Sequence, residues 1–244
     1  MALPGAMTRG VESTLPAQDT SGWPMGYALR DGISFCFVSD RALFLDVPRD
    51  RYFCLSHKAS RAFHDVVAGR NATTETCEQL VALGIFEISD AATPTTPCNA
   101  PMPPERSLAE DARQKGFASR WETSRAMLAL GAASLQLRYR GLERALGDIR
   151  VRKSHLAGNQ YRERVIEAIA QGYRGTRALL SDQDRCLVRS LAISRRLLAA
   201  GVAPDLVLAV KLQPFQAHCW VQLGPLLINE RREVVRDYTA ILIV

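Results

Sequence analysis

The chain has 244 residues, enough for one large domain or two small ones, and its 47% hydrophobic and 23% charged residues are ordinary for a soluble globular protein with a core that needs no staple. The formal charge of +6 is spread along the chain. Its densest runs, 138–144 and 150–153, fall in helical sequence and read as solvated faces, and no helix-turn-helix, zinc-finger or RNP signature joins them, so nucleic acid is not an expected partner.

Residues 1–25 are rich in Gly, Pro, Ser and Thr and read as a disordered tail. Three short strands follow over 33–38, 42–46 and 51–55, separated by turns at 39–41 and around Pro48. Apolar residues at helical spacing predict a helix over 58–68, ended by Gly69, and a second over 73–83, capped by Thr73 or Thr74 and stopped by Gly84. Residues 85–88 return to an extended pattern, which completes a winged-helix-like module of a three-stranded sheet plus helices over 26–90. Pro94, Pro97, Pro101, Pro103 and Pro104 then forbid helix and sheet interiors, so 91–107 reads as a linker. Over 108–244 the pattern gives helices near 118–138, 140–149, 160–179 and 184–200, then strands over 205–212, 215–222, 226–229 and 238–244. The class is α+β, with the second domain built of helices packed on an antiparallel sheet.

Six cysteines, at 36, 54, 77, 98, 186 and 219, form no CxxC pair and no metal-ligand spacing. Cys36, Cys54 and Cys77 lie in apolar context and read as buried; Cys98 reads as exposed and incidental. Four histidines, at 57, 64, 155 and 218, argue against a multi-histidine metal site. No basic start followed by an apolar run marks a signal peptide, and no apolar stretch is long enough to span a bilayer. Free thiols without a leader or membrane insertion predict a cytoplasmic protein.

Two segments carry chemistry. In 182–192 (DQDRCLVRSLA), Asp184 is a good N-cap, which puts Cys186 in the first turn of a helix. The helix dipole and the free N–H groups there favour a thiolate, the form that attacks a carbonyl. In 214–222 (PFQAHCWVQ), strand alternation puts Gln216, His218, Trp220 and Gln222 on one face and Phe215, Ala217, Cys219 and Val221 on the other. His218 is thus placed to serve Cys186 as base, while Cys219 is a small core residue. A third group should orient the imidazole, and either Asn229 or Glu230 fits; they alternate, so one of them faces His218. A lone cysteine or histidine is more often a packing residue than a catalyst. It is the two local sequences together that favour catalysis.

The stretches 185–192 (RCLVRSLA), 214–222 (PFQAHCWVQ) and Asn229–Glu230, with His218 lying 32 residues after Cys186, resemble the B protein of lasso-peptide biosynthesis, a transglutaminase-like leader peptidase. Three positions depart from that family's pattern: Cys219 stands for its usual Ala, Gln222 for its Glu, and Glu230 for the Asp that completes its triad. The resemblance implies Cys186 as nucleophile, His218 as base and Glu230 as the orienting acid, with Asn229 as the fallback. Residues 26–88, with 42–56 reading ALFLDVPRDRYFCLS, are similar to the PqqD-like leader-recognition domain found beside such peptidases, here fused. Such a domain adds an extended leader peptide as a strand to an open sheet edge. The resemblance implies that Arg51, Tyr52, Phe53, Cys54 and Leu55, with Leu80 and Leu83 of the second helix, line that cleft.

These residues lead to an expected cysteine peptidase of ribosomal-peptide maturation in antibiotic biosynthesis, cutting the leader from a precursor through an acyl-enzyme thioester. The expected partners are the precursor leader and an asparagine-synthetase-like lasso cyclase. No bound cofactor is expected: no GxxxxGK[ST] is present, and the ATP associated with family maturation falls to the cyclase. The rival readings are a transglutaminase-like acyltransferase with the same triad and a non-catalytic precursor-binding scaffold.

Overall fold

The computed structural model describes residues 26–70, 73–89, 95–111, 119–156, 162–176 and 186–244. The expected tail over 1–25, the start of the linker and Asp184 lie outside the described residues.

The N-terminal unit is built on an antiparallel sheet of β2 (Ile33–Val38), β3 (Arg41–Asp46) and β4 (Arg51–Cys54), in that order. Two helices follow, α1 (His57–Val67) and α2 (Thr74–Ala82). Each has the side-chain cap its sequence offers: Ser56 accepts from the Ala59 N–H at 3.3 Å, and Thr73 accepts from the Thr76 N–H at 3.3 Å. A strand not expected from the sequence, β1 (Tyr27–Leu29), pairs antiparallel with β5 (Phe86–Ile88) and closes the unit. Alternation along β2 and β3 sends Phe35, Ala42 and Phe44 to a core shared with α1 and α2. Cys36, Leu43 and Leu45 go the other way, into the core of the C-terminal half. The small sheet is therefore buried on both faces.

The C-terminal unit has a five-stranded sheet in the order β10-β7-β8-β9-β6. Its strands are β6 (Arg106–Ser107), β7 (Asp205–Lys211), β8 (Gln216–Leu223), β9 (Leu226–Leu227) and β10 (Thr239–Ile243). All neighbours are antiparallel except β6, which runs parallel to β9. Helices α3 (Arg120–Ser154), α4 (Glu163–Gly175) and α5 (Cys186–Ala199) cover one face. The two helices expected over 118–138 and 140–149 are both present within α3 and meet at Gly141, whose φ of 76° and ψ of 173° break the helical path between them. Where α4 crosses α3, a Cβ on Gly172 would sit 2.8 Å from the Glu122 carbonyl oxygen, so only glycine permits that approach. A short helix not expected from the sequence, α6 (Arg232–Val235), joins β9 to β10.

The proline-rich segment is not a free tether. Its last two residues form β6, and the described part lies over the outer face of the large sheet. The Cys98 N–H donates to the Phe35 carbonyl at 2.9 Å, and Gln222 Nε2 donates to the Met102 carbonyl at 2.5 Å. Two cysteine expectations are corrected. Cys98 is half-buried in a small core with Trp220, and burial pushes its thiol up. Cys54 is exposed, because β4 is an outer strand of its sheet.

Candidate active site

Cys186 is the first described residue of α5, and Leu191, Ile193 and Leu197 on that helix are buried and fix its axis. The start of α5 lies along the side of β8 that β7 leaves open. Ser190 Oγ donates to the Cys219 carbonyl at 2.9 Å, and the Cys219 N–H points at the Cys186 thiol. His218 reaches the same thiol from the sheet and hydrogen-bonds it. Its Nε2 donates to Glu230 Oε2 at 2.8 Å, which leaves Nδ1 for Cys186.

The three side chains thus form one row from thiol to imidazole to carboxylate. The acid is itself held: Ser107 Oγ donates to the Glu230 carbonyl at 2.7 Å, and Glu230 Oε1 accepts from the Arg231 N–H at 2.9 Å. Asn229, the alternative orienting residue, is turned elsewhere. Its Oδ1 accepts from the Val221 N–H at 2.8 Å, and its Nδ2 donates to Ser190 Oγ at 3.0 Å. It braces β8 against α5, one position from the acid and on the other side of the chain.

Electrostatics follow from this geometry. Burial alone would raise the Cys186 thiol. The hydrogen bond and charge of His218, with the backbone N–H groups of Cys219 and Leu187, outweigh burial and hold the thiol below its ordinary value. Burial pulls the His218 imidazole down, but its bonds to Cys186 and Glu230 lift it to about 9. The pair therefore favours thiolate and imidazolium. Cys219, one residue from His218, is 3% exposed, and burial drives its thiol strongly up. The sequence parity that separated it from His218 matches this placement.

The row opens into a cleft of about 630 Å³ lined also by Arg189, Gln216, Arg231 and Tyr238. Arg189 is only 7% exposed, one turn along α5 from the thiol. The Tyr238 ring lies 5.2 Å from the imidazole, and its hydroxyl donates to Gln216 Oε1 at 3.0 Å. Sequence reasoning did not single out Arg189 or Tyr238 as site residues. The helical i, i+3 spacing from Cys186 signals the first. The second lies just before β10, a strand not adjacent to β8, and its approach to His218 is a tertiary fact. Among the described residues no group of three or more His, Cys, Asp or Glu side chains is arranged to hold a metal ion.

The residues expected to grip a leader are divided by the structure. Arg51, Tyr52, Phe53 and Cys54 make up β4, whose outer side has no strand partner among the described residues. Phe53 stacks on Phe44 at 5.0 Å with the Arg51 guanidinium 5.4 Å from its ring. Tyr52 points the opposite way, towards the C-terminal half, 5.8 Å from Phe215. Leu55 and Leu80 are 6% and 3% exposed in the unit's own core, so their side chains are committed to packing and do not line a cleft. Leu83 is 54% exposed at the end of α2, but α2 packs on α1 and β5 rather than on β4. Of the seven residues, then, Leu55 and Leu80 are core side chains, Leu83 stands apart from β4, and the other four lie on β4 itself.

Residues 129–243, just under half of the chain, match the family model described as the transglutaminase-like superfamily. Residues 129–243 carry a transglutaminase-like domain. Its span contains Cys186, His218 and Glu230, and members of that superfamily are typically cysteine-dependent enzymes. No curated protein and no solved structure matched the chain.

Proposed function

We propose that this protein is a leader peptidase of lasso-peptide maturation, a cysteine peptidase that cuts a ribosomally made precursor between leader and core. The observation that carries the chemistry is the continuous row from the Cys186 thiol through His218 to Glu230, with Nε2 2.8 Å from the carboxylate. The observation that supports a peptide substrate is the open strand β4 in the adjoining unit.

The Cys186 thiolate attacks the scissile carbonyl while the imidazolium of His218 holds the proton. The C–N bond breaks, that proton passes to the leaving amine of the core peptide, and the leader remains as a thioester on Cys186. Water then attacks the thioester with His218 as base, which releases the leader carboxylate and restores the thiol. Glu230 keeps the imidazole turned and stabilises its charge. The backbone N–H of Cys186 is the first donor for the oxyanion. The freed amine passes to an asparagine-synthetase-like cyclase, which spends the ATP. The leader lies along the open side of β4, with Arg51, Tyr52, Phe53 and Cys54 as its contacts.

The test uses the full chain and a precursor encoded beside an asparagine-synthetase-like gene, with products read by mass spectrometry. Hydrolysis should yield a leader ending in a carboxylate, and Cys186→Ala should lose cleavage by roughly 10⁴-fold or more while still binding the precursor. Cleavage that survives Cys186→Ala would sink the peptidase reading. A leader capped by an added amine donor would make the enzyme an acyltransferase instead.

A further inference from the structure

A second cavity, of about 520 Å³, lies on the same sheet face as His218 and meets the catalytic cleft at Tyr238, which lines both. Its floor is apolar: Trp220, Val235 and Ala240 are 2%, 6% and 5% exposed. Its wall is the proline segment, through Pro101, Pro103 and Pro104. Both boundaries are held in place. The Gln222 bond to the Met102 carbonyl pins the proline wall, and Arg232 pins α6 through Glu110 at 2.8 Å and the Glu105 carbonyl at 3.1 Å. The Trp220 indole N–H is already used, donating to Gln222 Oε1 at 3.2 Å, so the ring presents no unmet donor to a ligand.

The charges around the cavity cancel. Glu110 pairs with Arg232, and Glu233 and Arg236 supply one of each sign. Nothing there selects a charged group, and the floor rewards an apolar one. Trp220 follows His218 by two positions on β8, and its ring lies 6.2 Å from the imidazole. That is the spacing of alternate side chains along an extended substrate.

We infer that this cavity is a specificity pocket that receives a bulky apolar side chain, aromatic or branched aliphatic, from the substrate within two residues of the bond that Cys186 attacks. The inference rests on the peptidase reading for its meaning, but the pocket's ligand preference does not need turnover. A substrate held here has its backbone laid across Tyr238 and its reacting carbonyl delivered towards the thiol, so the pocket sets which bond is cut while β4 sets which precursor is loaded.

The experiment titrates the intact, ¹⁵N-labelled protein with N-acetyl-phenylalaninamide, N-acetyl-leucinamide, N-acetyl-aspartamide, N-acetyl-lysinamide and N-acetyl-glycinamide, following the Trp220 indole N–H resonance. The expected result is a saturable shift with the first two, about tenfold tighter than with the other three. Pro104→Asp, a change at a half-exposed wall position, should abolish that preference, while Cys186→Ala should leave it intact. Equal response to all five amides, or no response from Trp220 to any, overturns the pocket. Loss of precursor cleavage on Cys186→Ala with the amide preference retained supports both readings. Cleavage that survives Cys186→Ala, with the preference also retained, sinks the peptidase alone.

Discussion

Cys186 and Cys219 carry the same chemical group, and their surroundings drive the two thiols in opposite directions. Cys219 is enclosed and stays neutral; Cys186 has an imidazole and two backbone N–H groups aimed at it. Two predictions belong at this scale. The pH profile of kcat/KM should be bell-shaped. Its acid limb belongs to the thiol and lies below the ordinary thiol value; its alkaline limb, where the imidazolium loses its proton, lies near 9. Glu230 raises His218, so Glu230→Gln should move the alkaline limb down and lower kcat by roughly 10²- to 10⁴-fold, measured on a folded enzyme. Asn229→Ala should behave differently. It leaves the Val221 N–H without its acceptor and should cost about 1–3 kcal/mol of stability by urea unfolding, with the alkaline limb unmoved. The reverse pattern, in which Asn229→Ala shifts the limb and Glu230→Gln does not, would transfer the orienting role to Asn229.

At the scale of elements, local signals were legible where a segment carries its own period or cap. The strands over 33–38 and 205–211, the helix begun by Thr73, and the opposite facing of His218 and Cys219 all follow from alternation and capping. The third member of the row was open in the sequence because Asn229 and Glu230 both carry suitable oxygens. Tertiary bonds decide it: Asn229 is taken up by the Val221 N–H and Ser190 Oγ, while Glu230, its backbone held by Ser107, faces the imidazole. The two-residue strand at 106–107 was hidden by the prolines before it, which forbid a long strand but not a short one that begins after them. The packing of α2 on α1 and β5 was hidden for a related reason: periodicity locates α2 in sequence but not the elements it packs on. One element also makes a pH prediction. Asp46 ends β3 with its side chain fully enclosed. Burial would raise its carboxyl, but Arg30 at 2.6 Å and Arg49 at 3.1 Å hold it below the usual carboxylate range. A depressed folded-state value stabilises above the unfolded value of about 3.9 and is lost as pH falls through the folded one. Asp46→Asn should therefore lower the urea midpoint at pH 7, and the gap from wild type should shrink as the pH drops below about 4.

The two units are distinct in sequence pattern, yet the molecule joins them through one core. Cys36, Leu43, Leu45 and Val47 belong to the same buried cluster as Leu191, Leu206 and Val221, and Tyr52 closes against Phe215 just before β8. Thermal unfolding of the full chain should accordingly show one transition rather than two. Tyr52→Ala should lower its midpoint through lost burial of about 1.5–3 kcal/mol, discounted for a side chain that is only partly enclosed. This joint also puts the open strand β4 beside the turn that leads to His218. The central claim remains the activation of Cys186, and it can be tested without knowing the precursor. The measurement is the pH dependence of iodoacetamide alkylation, resolved by peptide mapping for each of the six cysteines. Cys186 should react at neutral pH well ahead of the buried Cys36, Cys77 and Cys219, with a midpoint below the ordinary thiol value that returns to it in His218→Ala. A Cys186 that titrates at or above the ordinary value, or that ignores the loss of His218, would contradict the account.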